Sequence, residues 1–269
     1  VAGATGMVGG ATVKRLASEN CTIISPSRGE LDLLNQANVN KWAAENKPDV
    51  VIVAAATVGG ILANSTRPAE FIYNNITIES NIIHASYVNN VEKLVFLGSA
   101  CIYPREAGQP MAEEALLTGA LEPTNEWYAI AKIAGIKMCE AYRKQYGCDY
   151  ISAQPNNLYG TGDNFDLESS HVAPALMHRA HLAKLNGDKT LSIWGTGTVY
   201  REFLHVDDCA DALVHLIKYY SGAIHVNMGT GEEVTIAELA QTIADVVGFE
   251  GTLEFDTRKP DGAPRKLLD

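Results

Sequence analysis

The chain has no run approaching the ~18 consecutive apolar residues that suggest a membrane-crossing helix. Its 46% hydrophobic and 20% charged residues are an ordinary soluble balance. It has no excess of basic charge: 21 Lys and Arg stand against 32 Asp and Glu, a formal net charge of −11. A general nucleic-acid binder carries a basic face, so that class is disfavoured. An anionic ligand would have to be met by local Arg, Lys or helix N-termini. There is no C-x-x-C pair. The five cysteines (Cys21, Cys101, Cys139, Cys148, Cys209) are scattered and odd in number, which argues against a disulfide framework and a structural zinc site. Reduced thiols in a cytosol-like, cytoplasmic setting are expected. His178, His181, His205, His215 and His225 lack metal-ligand spacing, so no metal site is expected. No internal repeat, low-complexity linker or secretory signal is visible. The initiator methionine is also missing. The chain opens at "VAGATG" and closes on "PRKLLD", so residues are expected to be absent at both ends.

What is present is a regular alternation over 269 residues. "GATGMVGGATVKRLASEN" (3–20) is a glycine turn running into a helix. "CTIISPS" (21–27) is a β-rich strand, 38–48 is helical, and "DVVIVAAA" (49–56) is an apolar strand of the kind buried on both faces. Residues 70–90 have helical period, "KLVFLGS" is a buried strand, and 127–147 is a long helix ending at glycine. "DYISAQPNNLYG" (149–160) is a strand leaving into a loop. Such alternation predicts an α/β fold with a doubly wound parallel sheet. After Gly160 the pattern weakens to a helix (169–187), then a strand, loop and helix (191–220), then a helix capped at Thr235 (233–248). This predicts a sheet domain over 1–159, rejoined by 200–228, and a smaller C-terminal substrate-binding lobe from 160–199 and 229–269.

Three motifs carry chemistry. Gly3, Gly6 and Gly9 open the first βαβ unit. Glycine lets the backbone approach a pyrophosphate and lets the helix present its N–H groups to it. Arg28 lies about 20 residues beyond them, where NAD binders often place a carboxylate, and a guanidinium there suits a 2′-phosphate. Glu30 and Asp32 are near enough to compete. Tyr128 and Lys132 stand at i, i+4 on one helix face. A tyrosine can give a proton to a carbonyl oxygen during hydride transfer, and a neighbouring ammonium lowers its pKa from about 10. Ser99, one strand earlier, would polarise the same carbonyl.

With "AAATVGGILAN", "SACIYP", "YAIAKIAGIKMCEAY", "PNNLYGTGDNF", "SSHVAPALMHR", "WGTGTVYREFLHVDD" and "KPDGAPRKLLD" added, the chain resembles the extended short-chain dehydrogenase/reductase superfamily over nearly its whole length. Within it, the resemblance is to the bifunctional GDP-sugar 3,5-epimerase/4-reductases. It implies a Rossmann-type domain, NADP as cofactor, a GDP-sugar substrate and a homodimer built through a four-helix interface of 70–90 and 127–147. By the same resemblance, Ser99, Tyr128 and Lys132 are the reductase triad, and Cys101 and His171 the epimerase acid/base pair. The implied NADP contacts are Gly3, Ala4, Thr5, Gly6, Met7, Val8, Gly9, Arg28, Leu97, Gly98, Ser99, Ala100, Lys132, Pro155, Asn156, Asn157, Leu158 and His171. Asn157, Arg179, Trp194, Arg201 and Asp261 would line the GDP-sugar site. Many members carry a basic pair where this chain has Ala4 and Thr5, which removes one phosphate contact.

The implied reaction is the NADPH-dependent epimerisation of GDP-4-dehydro-6-deoxy-D-mannose at C3 and C5 and its reduction at C4. Removing a proton beside a ketone and returning one to the opposite face needs two groups. A thiolate of lowered pKa is a plausible base and histidine a plausible acid. Taken alone, Cys101 reads as a buried filler and His171 as a helix cap. Their joint presence around Tyr128 and Lys132 reverses both readings, and the Cys101 thiol is expected to be exposed to the pocket. Two rivals stand beside this: a plain C4 reductase of a related GDP-sugar such as a heptose, and a catalytically silent dinucleotide-binding sensor or scaffold.

Overall fold

Gly3 opens the fold at φ +87, and a Cβ there would lie 2.6 Å from the Ala55 nitrogen. A Cβ on Gly9 would lie 2.1 Å from the Gly3 carbonyl oxygen. Only glycine fits either position. The turn leads into α1 (Met7–Leu16). The structure, a computed structural model, describes residues 1–167, 169–259 and 261–269; Pro260 of the "KPDG" motif lies outside them.

The strand expected at 21–27 does not form. Its sheet neighbour would be the stretch before the glycine turn. There Ala2 makes a single bridge to Val53, and the Val1 amino group donates to the Ile24 carbonyl at 2.7 Å. One such bond is not a ladder. Helix α2 (Gln36–Asn46) ends at Lys47, which turns left-handed. Next come β1 (Val50–Val53), α3 (Ile61–Thr66), α4 (Pro68–Val88), β2 (Lys93–Leu97), α5 (Glu126–Tyr146) and β3 (Asp149–Pro155). The remainder is β4 (Asn157–Tyr159), α6 (Val172–Asn186), β5 (Thr190–Trp194), β6 (Tyr200–His205), α7 (Val206–Tyr219), β7 (Val226–Met228), β8 (Glu233–Thr235), α8 (Ile236–Val247) and β9 (Thr252–Asp256).

The main sheet is parallel, in the order β1-β2-β3-β7. Strand periodicity sorts its side chains onto two faces. Leu94 and Phe96 pack with Ile82 and Ile83 of α4 and Ile133 and Ile136 of α5. Val95 and Leu97 face the other way, onto Cys209 and Leu213 of α7. Helices therefore cover both faces, as the unbroken apolar runs require. A separate core joins α6, β5 and α8 through Leu176, Ala180, Leu191, Ile193, Ala240 and Ile243. Helix α8 starts at a complete capping box in which Thr235 and Glu238 satisfy each other's backbone N–H groups. Strand β6 pairs with β4 on one side and with β8 on the other. The last residues cross back as a strap. The Met111 N–H donates to the Leu267 carbonyl at 2.8 Å, and the Asp269 N–H donates to the Met111 carbonyl at 3.0 Å.

Candidate active site at the carboxyl ends of the sheet

A parallel sheet ends all its strands on one edge, where α/β folds bind ligands. The glycine turn sits there beside the exits of β1, β2 and β3. Helix α1 has no acidic residue in its first turn, so its N-terminal dipole is uncompensated. Met7 and Val8 turn their side chains inward onto Ala11, Val206 and Ala210. Arg28 is exposed. Its two competitors are occupied locally: Glu30 accepts from the Ser27 N–H and hydroxyl at 2.8 and 2.7 Å, and Asp32 accepts from the Leu34 N–H at 3.0 Å. A bare-backbone cradle, a helix N-terminus and a solvent-facing guanidinium fit a dinucleotide with a 2′-phosphate.

Strand β2 delivers Leu97, Gly98, Ser99 and Ala100 to the same edge. The buried Gln154 of β3 shapes that exit. Its Oε1 accepts the Ser99 N–H at 2.9 Å, and a Cβ on Gly98 would fall 1.7 Å from that oxygen. The Ser99 hydroxyl caps a short 3₁₀ turn (Ala100–Ile102), accepting from the Cys101 N–H at 3.4 Å.

Tyr128 and Lys132 share the inner face of α5, as expected, but the electrostatics differ. Lys132 is 2% exposed and pairs at 2.9 Å with Glu79 of α4, which is also 2% exposed. The ammonium lies 4.6 Å from the Phe96 ring centroid and 5.8 Å from that of Tyr128. Burial raises the Tyr128 pKa well above its usual value, and the negative charge available to Cys101 and Glu79 adds to this. The lowering expected from Lys132 is outweighed here, first of all by the desolvation that burial imposes on the phenol.

Cys101 also departs from expectation. It is 6% exposed rather than open to the cleft, and burial pushes its thiol up. Ser99, Lys266 and Lys132 act in the opposite direction and favour the thiolate. His171 is the N-cap residue of α6, yet its side chain makes no capping bond. Desolvation lowers its pKa and Lys266 lowers it further, while Asp163 raises it. Lys266, on the strap, thus acts on both members of the expected acid/base pair. Its own pKa is lowered by burial.

Of the residues expected to line the GDP-sugar site, Trp194, Arg201 and Asp261 gather around the end of β5. Trp194 ends that strand, half exposed, with the Lys259 ammonium 4.9 Å from its ring centroid. Asp261 accepts the Thr196 N–H at 2.7 Å, and the Arg201 guanidinium donates to the Asp261 carbonyl at 3.4 Å. Arg179, on α6, donates to the Ser192 carbonyl two residues before Trp194 at 3.1 Å. Burial lowers the pKa of both arginines. Asn157 is held at the foot of this group. Its amide donates to the Glu202 carbonyl at 2.9 Å, and its N–H donates to the Asn156 side chain at 3.0 Å. Leu158 follows Asn157 on β4, and Pro155 ends β3 before Asn156.

Four residues outside the expected set hold this arrangement: Glu79, Gln154, Glu202 and Lys266. Glu202 is fully buried. Its carboxylate accepts from the Asn156 amide and from the N–H groups of Thr230, Gly231 and Leu268. A signal existed for three of them: Glu79, Gln154 and Glu202 are polar residues at core-facing positions of apolar elements, where burial demands partners. Among the described residues, no group of three or more His, Cys, Asp and Glu side chains is placed to hold a metal ion.

The family model described as "NAD dependent epimerase/dehydratase family" matches residues 1–229. A GDP-L-fucose synthase of Sinorhizobium fredii is 60% identical over 268 residues, covering 100% of this chain and 85% of that protein. Among solved structures, a GDP-6-OMe-4-keto-L-xylo-heptose reductase from C. jejuni is 39% identical with a TM-score of 0.94, covering 100% of this chain and 88% of that one. A GDP-L-fucose synthetase from Naegleria fowleri bound to NADP is 28% identical with a TM-score of 0.91, covering 100% and 84%.

Proposed function

The chain belongs to the NAD dependent epimerase/dehydratase family and, within it, to the GDP-L-fucose synthases, and from that premise we propose how its residues divide the work. The enzyme converts GDP-4-dehydro-6-deoxy-D-mannose to GDP-L-fucose, with NADP as its cofactor. Cys101 takes the proton beside the C4 ketone at C3 and C5. His171 returns a proton to the opposite face. NADPH, when bound, supplies the hydride to C4. Tyr128 gives its proton to the C4 oxygen, and Ser99 polarises that oxygen beforehand. The glycine turn and the N-terminus of α1 hold the pyrophosphate, and Arg28 meets the 2′-phosphate. Arg179, Arg201, Asn157, Asp261 and Trp194 hold the GDP moiety. The arginines answer the diphosphate charge in an otherwise acidic protein, and Trp194 offers a face for guanine.

The observation that carries this reading is the position of Cys101. It sits one turn from Ser99, within the field of Lys132 and Lys266, and Lys266 also acts on His171. One lysine therefore acts on both groups that must share the proton traffic. In Cys101→Ser, solvent-deuterium exchange at C3 and C5 is expected to stop, while reduction of a pre-epimerised substrate continues. In Tyr128→Phe the converse is expected. The second reading, C4 reduction of a related GDP-heptose, is favoured by the likeness to the C. jejuni reductase. It predicts that Cys101→Ser leaves product formation intact.

The sheet domain is taken as 1–159 with 200–228, and the smaller lobe as 160–199 with 229–269. The separate core under α6, β5 and α8 supports this division. The partner copy docks through α4 and α5, whose outer faces leave Tyr73, Ile76, Trp127 and Tyr146 exposed. A cytoplasmic location fits the free thiols, of which Cys21 is exposed. No helix among the described residues is long and apolar enough to cross a membrane.

A further inference from the structure

Glu79 is an unexpected charge to find beneath a reductase site. It lies on α4, which otherwise presents Ile78, Ile82 and Ile83 to the core. Its carboxylate pairs with Lys132 at 2.9 Å. Beyond Lys132, neither oxygen has a hydrogen-bond donor among the described residues. Burying a carboxylate is costly unless it is paired, and here burial raises its pKa against the pull of Lys132. The fold makes room for it. A Cβ on Gly135, one turn along α5 from Lys132, would sit 2.9 Å from Glu79 Oε2 and 2.4 Å from Phe96 Cζ. Glycine there admits both the carboxylate and the ring.

An ammonium beside a tyrosine normally favours the phenolate. That suits a dehydrogenase, whose tyrosine removes a proton from an alcohol. Reduction of a ketone needs the opposite: the tyrosine must hold its proton until hydride arrives. We propose that Glu79 is a positioning residue that neutralises Lys132 and so keeps Tyr128 in its proton-donating form. This rests on the reading of Tyr128 as the proton donor. The other groups facing the pair are Cys101 from the turn after β2 and Cys139 from α5, while β2 and β3 contribute the uncharged Phe96 and Ser152. Lys266, from the strap, faces Cys101 and His171. Without Glu79 the buried Lys132 would lack its anion. The Tyr128–Lys132 pair would then give up its first proton at lower pH, whichever residue releases it.

The test compares wild type, Glu79→Gln and Tyr128→Phe. It follows NADPH oxidation with GDP-4-dehydro-6-deoxy-D-mannose, and NADPH binding by fluorescence, between about pH 6 and 10. In Glu79→Gln the basic limb of kcat is expected to fall about one pH unit earlier, with KM for the GDP-sugar unchanged. NADPH binding is expected to acquire a pH dependence with the same midpoint. A variant that melts earlier but keeps the wild-type limb overturns the proposal and leaves Glu79 a structural ion-pair partner. If Glu79→Gln does not fold, Glu79→Asp, which withdraws the charge by a methylene, must move the limb in the same direction by less. An unmoved limb in that variant overturns the proposal. Reduction retained in Tyr128→Phe overturns the reading beneath it. Reduction lost there, with an unmoved limb in the Glu79 variant, overturns this inference alone.

Discussion

Lys266 acts on both groups proposed as the epimerase acid/base pair. Its positive charge favours the Cys101 thiolate against the cost of burial, and it favours neutral His171. Removing it in Lys266→Met is expected to raise the thiol pKa. The acid limb of C3/C5 deuterium exchange should then move to higher pH, with reduction of a pre-epimerised substrate kept within about threefold; an unmoved limb, followed by proton NMR, removes Lys266 from the epimerase. Gly98→Ala is expected to destabilise by about 3 kcal/mol, because the new methyl and Gln154 compete for one volume. A thermal melt checks it. At this scale the sequence offered candidate residues for the chemistry but not the charges and burial that surround them. Tyr128 and Lys132 were legible from spacing. That Glu79, 49 positions before Tyr128 in the chain, cancels the ammonium depends on how α4 packs on α5. Cys101 was legible as unusual, but its burial follows from a 3₁₀ turn that no periodicity announces.

Among the elements, long helices and the two-faced strands β2 and β3 follow from apolar pattern, and α5 and α8 end where glycine permits a left-handed turn. Strands β7, β8 and β9 were not legible: each is only 3 to 5 residues long and is stabilised by partners distant in sequence. The segment 21–27 shows the converse: a β-rich sequence that forms no strand. The strap carrying Asp261 and Lys266 is likewise a tertiary object, tied down by the Glu202 carboxylate at the Leu268 N–H and by the Asn156 amide at the Lys266 carbonyl. Glu202→Ala leaves several buried donors unpaired and is expected to cost about 3 kcal/mol or more. It should raise KM for the GDP-sugar far more than the NADPH dissociation constant. Equal effects on both, by steady-state kinetics and fluorescence titration, would mean that Glu202 serves stability alone.

Across the whole molecule, one core lies under each face of the sheet and a third joins α6, β5 and α8. A net charge of −11 makes local arginines necessary for a diphosphate ligand. The exposed aromatics of α4 and α5 predict a dimer at micromolar concentration. Light scattering should show a mass twice that of the chain for wild type and a single-chain mass for Tyr73→Arg combined with Trp127→Arg; a monomeric wild type removes the interface. One site is expected to carry out both epimerisation and reduction. Incubating the enzyme with NADPH and GDP-4-dehydro-6-deoxy-D-mannose in deuterium oxide, and reading the product by NMR, addresses this in a single tube. The expected product is GDP-L-fucose bearing deuterium at C3 and C5, formed as NADPH is consumed. A reduced product with its original C3 and C5 configurations and no deuterium there would contradict it.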